Sequence, residues 1–188
     1  MRNVRVFLVL IVLCLTVGRS DALAQERIDY KLLATSKTST MEKELNEAAS
    51  AGFRFQHVMG GESAVGGKEV IVVMRSVAQD KGRYAYRLLA TSKTSTMQKE
   101  LQEASDAGYE YKGQTIFEST FGGDEVVVIL ERHNGDAAHG FEYRLMATSK
   151  TSTLEKELKE AGAAGYETVG MTVSKTAMAL PPLRPLTA

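Results

Sequence analysis

Apolar and polar residues alternate in the same way at three places along the chain. In the first, Ile28, Tyr30 and Leu32 alternate with Asp29 and Lys31. A period of two residues is typical of a half-buried β-strand. The later copies carry the same apolar side, formed by Tyr84, Tyr86 and Leu88 and then by Phe141, Tyr143 and Leu145. Each copy therefore predicts a strand whose apolar side lies on a core.

A helix is predicted after each of these strands. Met41, Leu45, Ala48 and Ala49 have the spacing that places apolar residues on one helical stripe. The helix start fits a capping box, in which Ser and a Glu or Gln three residues later bond each other's backbone N–H groups. The three boxes are Ser39 to Glu42, Ser95 to Gln98 and Ser152 to Glu155. A glycine follows each apolar stripe and predicts the helix end, because glycine readily adopts the left-handed conformation. The three glycines are Gly52, Gly108 and Gly165.

Two further strands complete the pattern in the first two copies. Residues 53–58 predict a second strand, and a glycine-bearing loop leads to a third at Val70–Met74, equivalent to Val126–Leu130. Both third strands are apolar at every position. A strand of this kind predicts cover on both faces, one by its own helix and the other by a neighbouring unit's sheet or another chain.

These elements form a tandem repeat. The heptapeptide Ala-Thr-Ser-Lys-Thr-Ser-Thr occurs at 34–40, 90–96 and 147–153, and a fixed period of this size marks a duplicated supersecondary unit. The predicted fold class is α+β: three tandem strand-helix-strand-strand units, each a small, mostly antiparallel sheet covered by one helix. The unit boundaries are 25–76, 84–133 and 141–180. The segments Ser76–Arg83 and His133–Gly140 are predicted linkers.

The third unit departs from the pattern after Val173. It has no glycine-rich loop and no five-residue apolar strand, only a short run ending at Leu180. The sequence predicts that residues 177–180 close the sheet imperfectly or that another unit covers the edge; the alternative is an open edge that accepts a partner's strand. All three prolines lie at 181–185, so residues 181–188 are predicted to be a flexible or polyproline-like tail.

Short motifs of the repeat resemble a small bacterial domain-of-unknown-function family, the one numbered 4177. They are Tyr84-Ala-Tyr-Arg87, Leu45-Asn46 with Gly52-Phe53, and the later equivalents Gly108-Tyr109-Glu110 and Gly165-Tyr166-Glu167. The resemblance covers nearly the whole chain after residue 24. It implies a fold and no activity.

The N-terminus has the features of a secretory signal peptide. Arg2 and Arg5 precede an apolar run from Val6 to Val17, and Ala22-Leu-Ala24 is a small-x-small cleavage sequence. The run is too short for a membrane span. We therefore expect cleavage near Ala24, export to the periplasm or beyond the cell, and no membrane span in the mature chain.

Removal of residues 1–24 changes the composition in two ways. It takes away Cys14, the only cysteine, which excludes disulfides and thiol chemistry. It also removes three of 23 basic and one of 23 acidic residues, which leaves a net charge of −2. A chain with this balance has no basic stretch that indicates a nucleic-acid partner.

The repeated heptapeptide contains the candidate ligand-binding residues. A helix start offers free N–H groups and a positive dipole end, and a nearby cation and hydroxyls favour phosphate, sulfate or a carboxylate. The residues concerned are Lys37, Lys93 and Lys150 with Ser36, Ser92 and Ser149. The alternative is that the motif only caps helices and is alike in the three copies because of recent duplication.

Catalytic chemistry finds little support in the sequence. His57, His133 and His139 do not recur between units and have no metal-ligand spacing. We predict no enzyme activity, no metal and no cofactor. The predicted function is a non-catalytic binding module for a protein or an anionic envelope component, with possible self-association. The alternative is a structural or self-assembly protein whose motif only caps helices; a hydrolase-type enzyme is the third reading.

Overall fold

The computed structural model describes residues 28–63, 67–76, 80–118, 123–137, 140–173 and 178–185, with the backbone alone at 62–63, 118 and 178–185. The chain is α+β, with three tandem units as the sequence predicted. The predicted signal peptide, the cleavage point near Ala24 and His139 lie outside the described residues.

Units 1 and 2 have the same element order. Unit 1 consists of β1 (Tyr30–Thr35), α1 (Thr38–Ser50), β2 (Phe53–Ser63) and β3 (Gly67–Ser76). Unit 2 repeats it with β4 (Tyr84–Thr91), α2 (Thr94–Asp106), β5 (Glu110–Glu118) and β6 (Asp124–His133). In each, the last strand lies in the middle of an antiparallel sheet, in the orders β1-β3-β2 (sheet 1) and β4-β6-β5 (sheet 2).

Unit 3 has the same beginning and a broken end. It contains β7 (Arg144–Thr148), α3 (Thr151–Ala163), β8 (Tyr166–Thr168), β9 (Thr172–Val173) and β10 (Met178–Pro185). β10 is antiparallel to the other three strands of this sheet, sheet 3. The pairing of β10 with β7 shifts register between Leu180 and Leu183. Two prolines lie at this point, and proline cannot donate a ladder hydrogen bond.

The C-terminal segment therefore differs from the tail that was predicted from 181. Its backbone continues as β10 to Pro185, paired with β8 through Leu183, Arg184 and Pro185. β10 lies between β7 and β8, and its prolines at 181 and 182 coincide with a break in the ladder, where proline's missing N–H costs no pairing bond. The expected imperfect closure is present at Met178–Leu180, which pair with Thr148–Met146.

The helices end where the sequence predicted but do not begin with the predicted cap. Gly52, Gly108 and Gly165 have φ of 98°, 83° and 83° and follow the last turns. The N-cap residues are Lys37, Lys93 and Lys150, with extended backbone and no side-chain cap. The capping-box prediction is wrong, since Ser39, Ser95 and Ser152 already lie inside the first turn. The Thr two residues before each N-cap lysine accepts a hydrogen bond from the N–H of that lysine. The distance between Lys37 N and Thr35 Oγ1 is 3.2 Å.

The units stack so that helices alternate with sheets. The first core cluster joins Met41 and Leu45 of α1 to Val72 of sheet 1 and to Val127 and Ile129 of sheet 2. The second joins α2 to the opposite face of sheet 2 and to Tyr143 before β7. The predicted cover on both faces is confirmed for β6, whose residues Val127 to Leu130 are all buried.

Sheet 1 differs because the described residues contain no unit before it. Its inner face packs on α1 through Leu33, Val70, Val72 and Met74. The other face, called here the outer face of sheet 1, is formed by residues that share a side in the strand register: Tyr30, Leu32, Ala34, His57, Met59, Glu69, Ile71, Val73 and Arg75. The side chains of Tyr30, Leu32 and Met59 are 61, 64 and 59% exposed. The prediction that the apolar side of the first strand lies on a core is thus wrong for unit 1.

Candidate functional site

The contact between units 1 and 2 is built from polar side chains of α1 that bind an edge strand. Glu42 Oε2 accepts a hydrogen bond from the N–H of Leu88 at 2.8 Å. Asn46 accepts from the N–H of Tyr86 and donates to its carbonyl, both at 2.9 Å. These bonds satisfy outward-facing backbone groups of β4, whose other side pairs with β6. The helix of one unit therefore closes the sheet edge of the next.

The contact between units 2 and 3 repeats this arrangement with equivalent residues. Gln98 accepts from the N–H of Leu145 and donates to the carbonyl of Tyr143, both at 2.6 Å. Gln102 accepts from the N–H of Tyr143 at 3.2 Å. Glu42 and Gln98 are the residues that the sequence placed in capping boxes, and their actual role is between units.

A repeated tyrosine completes each contact from the other side. The hydroxyls of Tyr86 and Tyr143 accept hydrogen bonds at 2.8 Å from the N–H groups of Phe55 and Tyr111. Both N–H groups lie at register shifts of the strands that follow α1 and α2. The two tyrosines are 2 and 3% exposed, against 61% for Tyr30 at the same repeat position. Burial is thus set by whether a unit precedes the strand.

The hydroxyl of Tyr86 also donates to Glu131 Oε2 at 2.6 Å. Glu131 is 4% exposed and accepts from Arg54 through Nη2 at 2.9 Å and Nε at 3.2 Å. Burial, the charge of Glu131 and the hydrogen bond to it raise the pKa of the Tyr86 hydroxyl. The hydrogen bond to Glu131 likewise raises the pKa of Arg54. The hydroxyl therefore stays protonated at neutral pH and acts as a donor to a buried carboxylate.

A cleft of about 620 Å³ lies beside this network. Its lining includes Arg54, Glu131 and Lys112, and also His133, whose Nδ1 is 2.9 Å from Asp136 Oδ1. Lys112 Nζ is 2.8 Å from Glu110 and 3.7 Å from Glu131. Since opposite charges already pair across this cleft, it offers no field of one sign to a charged ligand.

The predicted anion-binding residues lie on the surface at the starts of three different helices. Lys37, Lys93 and Lys150 are exposed N-cap residues, and Ser36, Ser92 and Ser149 beside them are exposed as well. Because the caps lack a side-chain acceptor, first-turn N–H groups are open to a ligand. A cleft of about 490 Å³ next to α1 is lined by Thr38 and Ser39. Glu42, Glu100 and Arg87 also line it, and the two carboxylates oppose an anion there.

The histidines occupy unrelated positions in the structure. His57 is exposed on the outer face of sheet 1, and His133 lies at the end of β6 against the ring of Tyr84, with 5.2 Å between ring centroids. Within the described ranges, no group of three or more His, Cys, Asp or Glu side chains is placed to hold a metal ion. None of the helices in these ranges is long and apolar enough to cross a membrane.

Comparison of the chain with protein-family models, with curated proteins and with solved structures gave no match. The resemblance to the family numbered 4177 therefore stays a prediction from the motifs.

The main feature that the sequence did not locate is the outer face of sheet 1. It places Tyr30, Leu32 and Met59 in solvent on one side of a sheet, with Ala34 also exposed and Ile71 and Val73 half-buried. The signal for it was present, because only the first copy of the repeat lacks a preceding copy. The sequence interpretation predicted that this side lies on a core.

Proposed function

We propose that this protein is an exported, non-catalytic repeat protein that binds a protein partner through the outer face of sheet 1. The observation that carries the proposal is the exposure of Tyr30 and Leu32, whose equivalents Tyr86 and Leu88 lie against α1. Contiguous apolar side chains in solvent are typical of interaction sites.

The edge strand supports the same choice of surface. In β4 the outward N–H groups of Tyr86 and Leu88 are bound by Asn46 and Glu42. Tyr30 and Leu32 hold the equivalent positions in β1, and the part of the chain that the structure describes has no helix before β1 to bind them. An edge with free donors and an apolar face beside it suits a partner that offers acceptors and apolar side chains together.

A protein partner is favoured over an anionic envelope component. The exposed centre of the outer face of sheet 1, around Tyr30, Leu32 and Met59, is apolar. The surface beside the α1 helix start instead carries Glu42 and Glu100 as well as Arg87. Anion binding at Lys37, Lys93 and Lys150 stays a prediction.

Photo-crosslinking in the producing cell tests the proposal. A photoreactive amino acid at position 32 is expected to give a covalent adduct of defined mass, and adding Tyr30→Glu should abolish it. The matched control is position 47 on α1, where the Glu side chain is 63% exposed and away from this face. Absence of an adduct at 32, or equal adducts at 32 and 47, would contradict the proposal.

A further inference from the structure

We propose that the partner is a second copy of this chain, and that unit 3 of one copy covers the outer face of sheet 1 of the next. This inference rests on the proposed function of that face. Two contacts of one design already join the units inside the chain. Among the described residues, no helix packs on the outer face of sheet 1 and no sheet packs on the exposed side of α3. We call the outer face of sheet 1 with its edge β1 the head, and the exposed side of α3 together with residues 166–173 the tail.

The tail repeats the groups that bind an edge strand. Glu155 holds the position of Glu42 and Gln98, and it is exposed on α3, where its carboxylate meets Lys159 at 2.5 Å. The N–H of Leu32 in the next copy is equivalent to the Leu88 and Leu145 N–H groups, and it would donate to Glu155. Thr168 holds the position of Phe55 and Tyr111, at the point where β8 ends. Its N–H would donate to the hydroxyl of Tyr30.

Charge at the two surfaces is complementary. Inside the chain, Arg54 binds Glu131 between units 1 and 2 at 2.9 Å. The tail has Glu167 at the position of Arg54, and the head has Arg75 at the position of Glu131. Glu167 and Arg75 therefore also form a pair of opposite charges, in which the acidic and the basic residue have exchanged sides relative to Arg54 and Glu131. Nε of Arg75 is buried and has no hydrogen-bond partner among the described residues. A carboxylate from the tail of another copy would supply this partner.

Apolar side chains are exposed on both surfaces. On the tail, Met171 and Val173 are 63 and 64% exposed. They are the equivalents of Val58 and Gly60 in unit 1. Val58 lies against Gly113 of sheet 2, and Gly60 lies against Ile116. The head offers Leu32 and Met59 at similar exposure. Joining head and tail would remove these residues from water, as the internal contacts do for their equivalents.

Two differences make this contact weaker than the internal ones. Lys159 replaces Asn46 and Gln102, so it can donate to the Tyr30 carbonyl but cannot accept from the Tyr30 N–H. His57 stands where sheet 2 has Gly113, which lies close against Phe55 and Val58. We therefore expect reversible association that depends on concentration. Because head and tail are different surfaces, each copy can bind two neighbours.

Sedimentation velocity of the purified chain over a range of concentrations tests this. The weight-average mass of the parent should rise with concentration. Leu32→Lys blocks the head and Met171→Lys blocks the tail, both at exposed side chains where folding is not threatened. Each variant alone should stay monomeric, and an equimolar mixture should form a 1:1 dimer and nothing larger. Glu47→Lys is the control and should associate like the parent.

A charge exchange supplies a second measurement. Glu167→Arg should weaken association by about tenfold or more, because it sets two like charges against each other. Adding Arg75→Glu to the same chain should restore association.

Three sedimentation results would overturn the inference. They are a parent that is monomeric at every concentration, dimers of a singly blocked variant, and a mixture no heavier than its components. Crosslinks from position 32 to a different protein would overturn the inference and leave the proposed function standing. No crosslink from position 32 would remove both.

Discussion

Glu42 Oε2 accepts a hydrogen bond from the backbone N–H of Leu88 at 2.8 Å, across 46 residues of sequence. A local pattern suggested that Glu42 capped its own helix, and the structure uses it to close the edge of the following sheet. Gln98 does the same for Leu145. Side chains of a helix thus determine how one unit joins the next, and several measurable consequences follow from this.

Removal of the Asn46 amide should destabilise the protein. Asn46→Ala deletes two hydrogen bonds to the Tyr86 backbone and leaves that N–H and carbonyl partly buried without partners, at a cost of about 1–3 kcal/mol. Urea unfolding measures the change in free energy. Lys159→Ala is the matched control, because Lys159 is the exposed equivalent in unit 3, and it should change stability by about 0.5 kcal/mol or less. Equal effects of the two variants would contradict the role assigned to Asn46.

The Tyr86 hydroxyl should make stability fall at alkaline pH. Its pKa in the folded protein is raised above its ordinary value, so the stability it supplies is complete below pH of about 10 and is lost as pH rises further. Tyr86→Phe should lower stability at pH 7 by about 1–3 kcal/mol, since the Phe55 N–H loses its acceptor. It should also flatten the decline above pH of about 10.

Tyr30→Phe is the control for that experiment, measured in dilute protein. The Tyr30 side chain is 61% exposed, so its loss should leave both neutral stability and the alkaline decline as in the parent. Denaturant titrations at a series of pH values measure both effects. An alkaline decline that is unchanged in Tyr86→Phe would show that other groups cause it.

The crossing of β2 and β5 should tolerate no side chain at Gly60. A Cβ there would lie 1.9 Å from the carbonyl oxygen of Ile116, whereas a Cβ at Gly61 meets nothing within 4 Å. Gly60→Ala should force the two sheets apart and cost about 1–3 kcal/mol or more. Gly61→Ala should change stability by about 1 kcal/mol or less. Thermal unfolding of the pair measures the difference, and similar midpoints would refute the close approach.

The anion prediction is tested by unfolding with phosphate and sulfate at matched ionic strength. If the repeated helix starts bind these anions, the midpoint of the parent rises, because a ligand of the folded state stabilises it. Replacing Lys37, Lys93 and Lys150 together by Ala should abolish the rise. Replacing Lys43, Lys99 and Lys156 removes the same charge from exposed helix positions and should leave it intact. No rise in the parent would leave the heptapeptide as a structural turn.

Much of the fold follows from local patterns. The period of two residues, the apolar stripe beginning at Met41 and the glycine at position 52 suffice to place strand, helix and helix end, and the repeat multiplies them. The all-apolar strand at 126–130 correctly indicated cover on both faces. These features depend on short-range geometry, which the sequence carries directly.

The parts that could not be predicted depend on neighbours in space. Tyr30 and Tyr86 lie in closely similar local sequences, and the presence of a preceding unit makes Tyr86 buried while Tyr30 is exposed. The Glu42 carboxylate could accept a hydrogen bond from the backbone at its own helix start or from the N–H of Leu88. Nothing in the local sequence distinguishes these two donors. The prolines at 181 and 182 indicated a tail, yet the backbone pairs on either side of them.

Amide hydrogen exchange at three equivalent leucines tests the central claim most directly. In dilute protein, the Leu88 and Leu145 amides should exchange slowly, because Glu42 and Gln98 bind them. The Leu32 amide should exchange at a rate near that of an unfolded chain, since no helix within the described ranges binds the outer edge of β1. Protection of Leu32 equal to that of Leu88 in dilute, monomeric protein would contradict an open binding face on sheet 1.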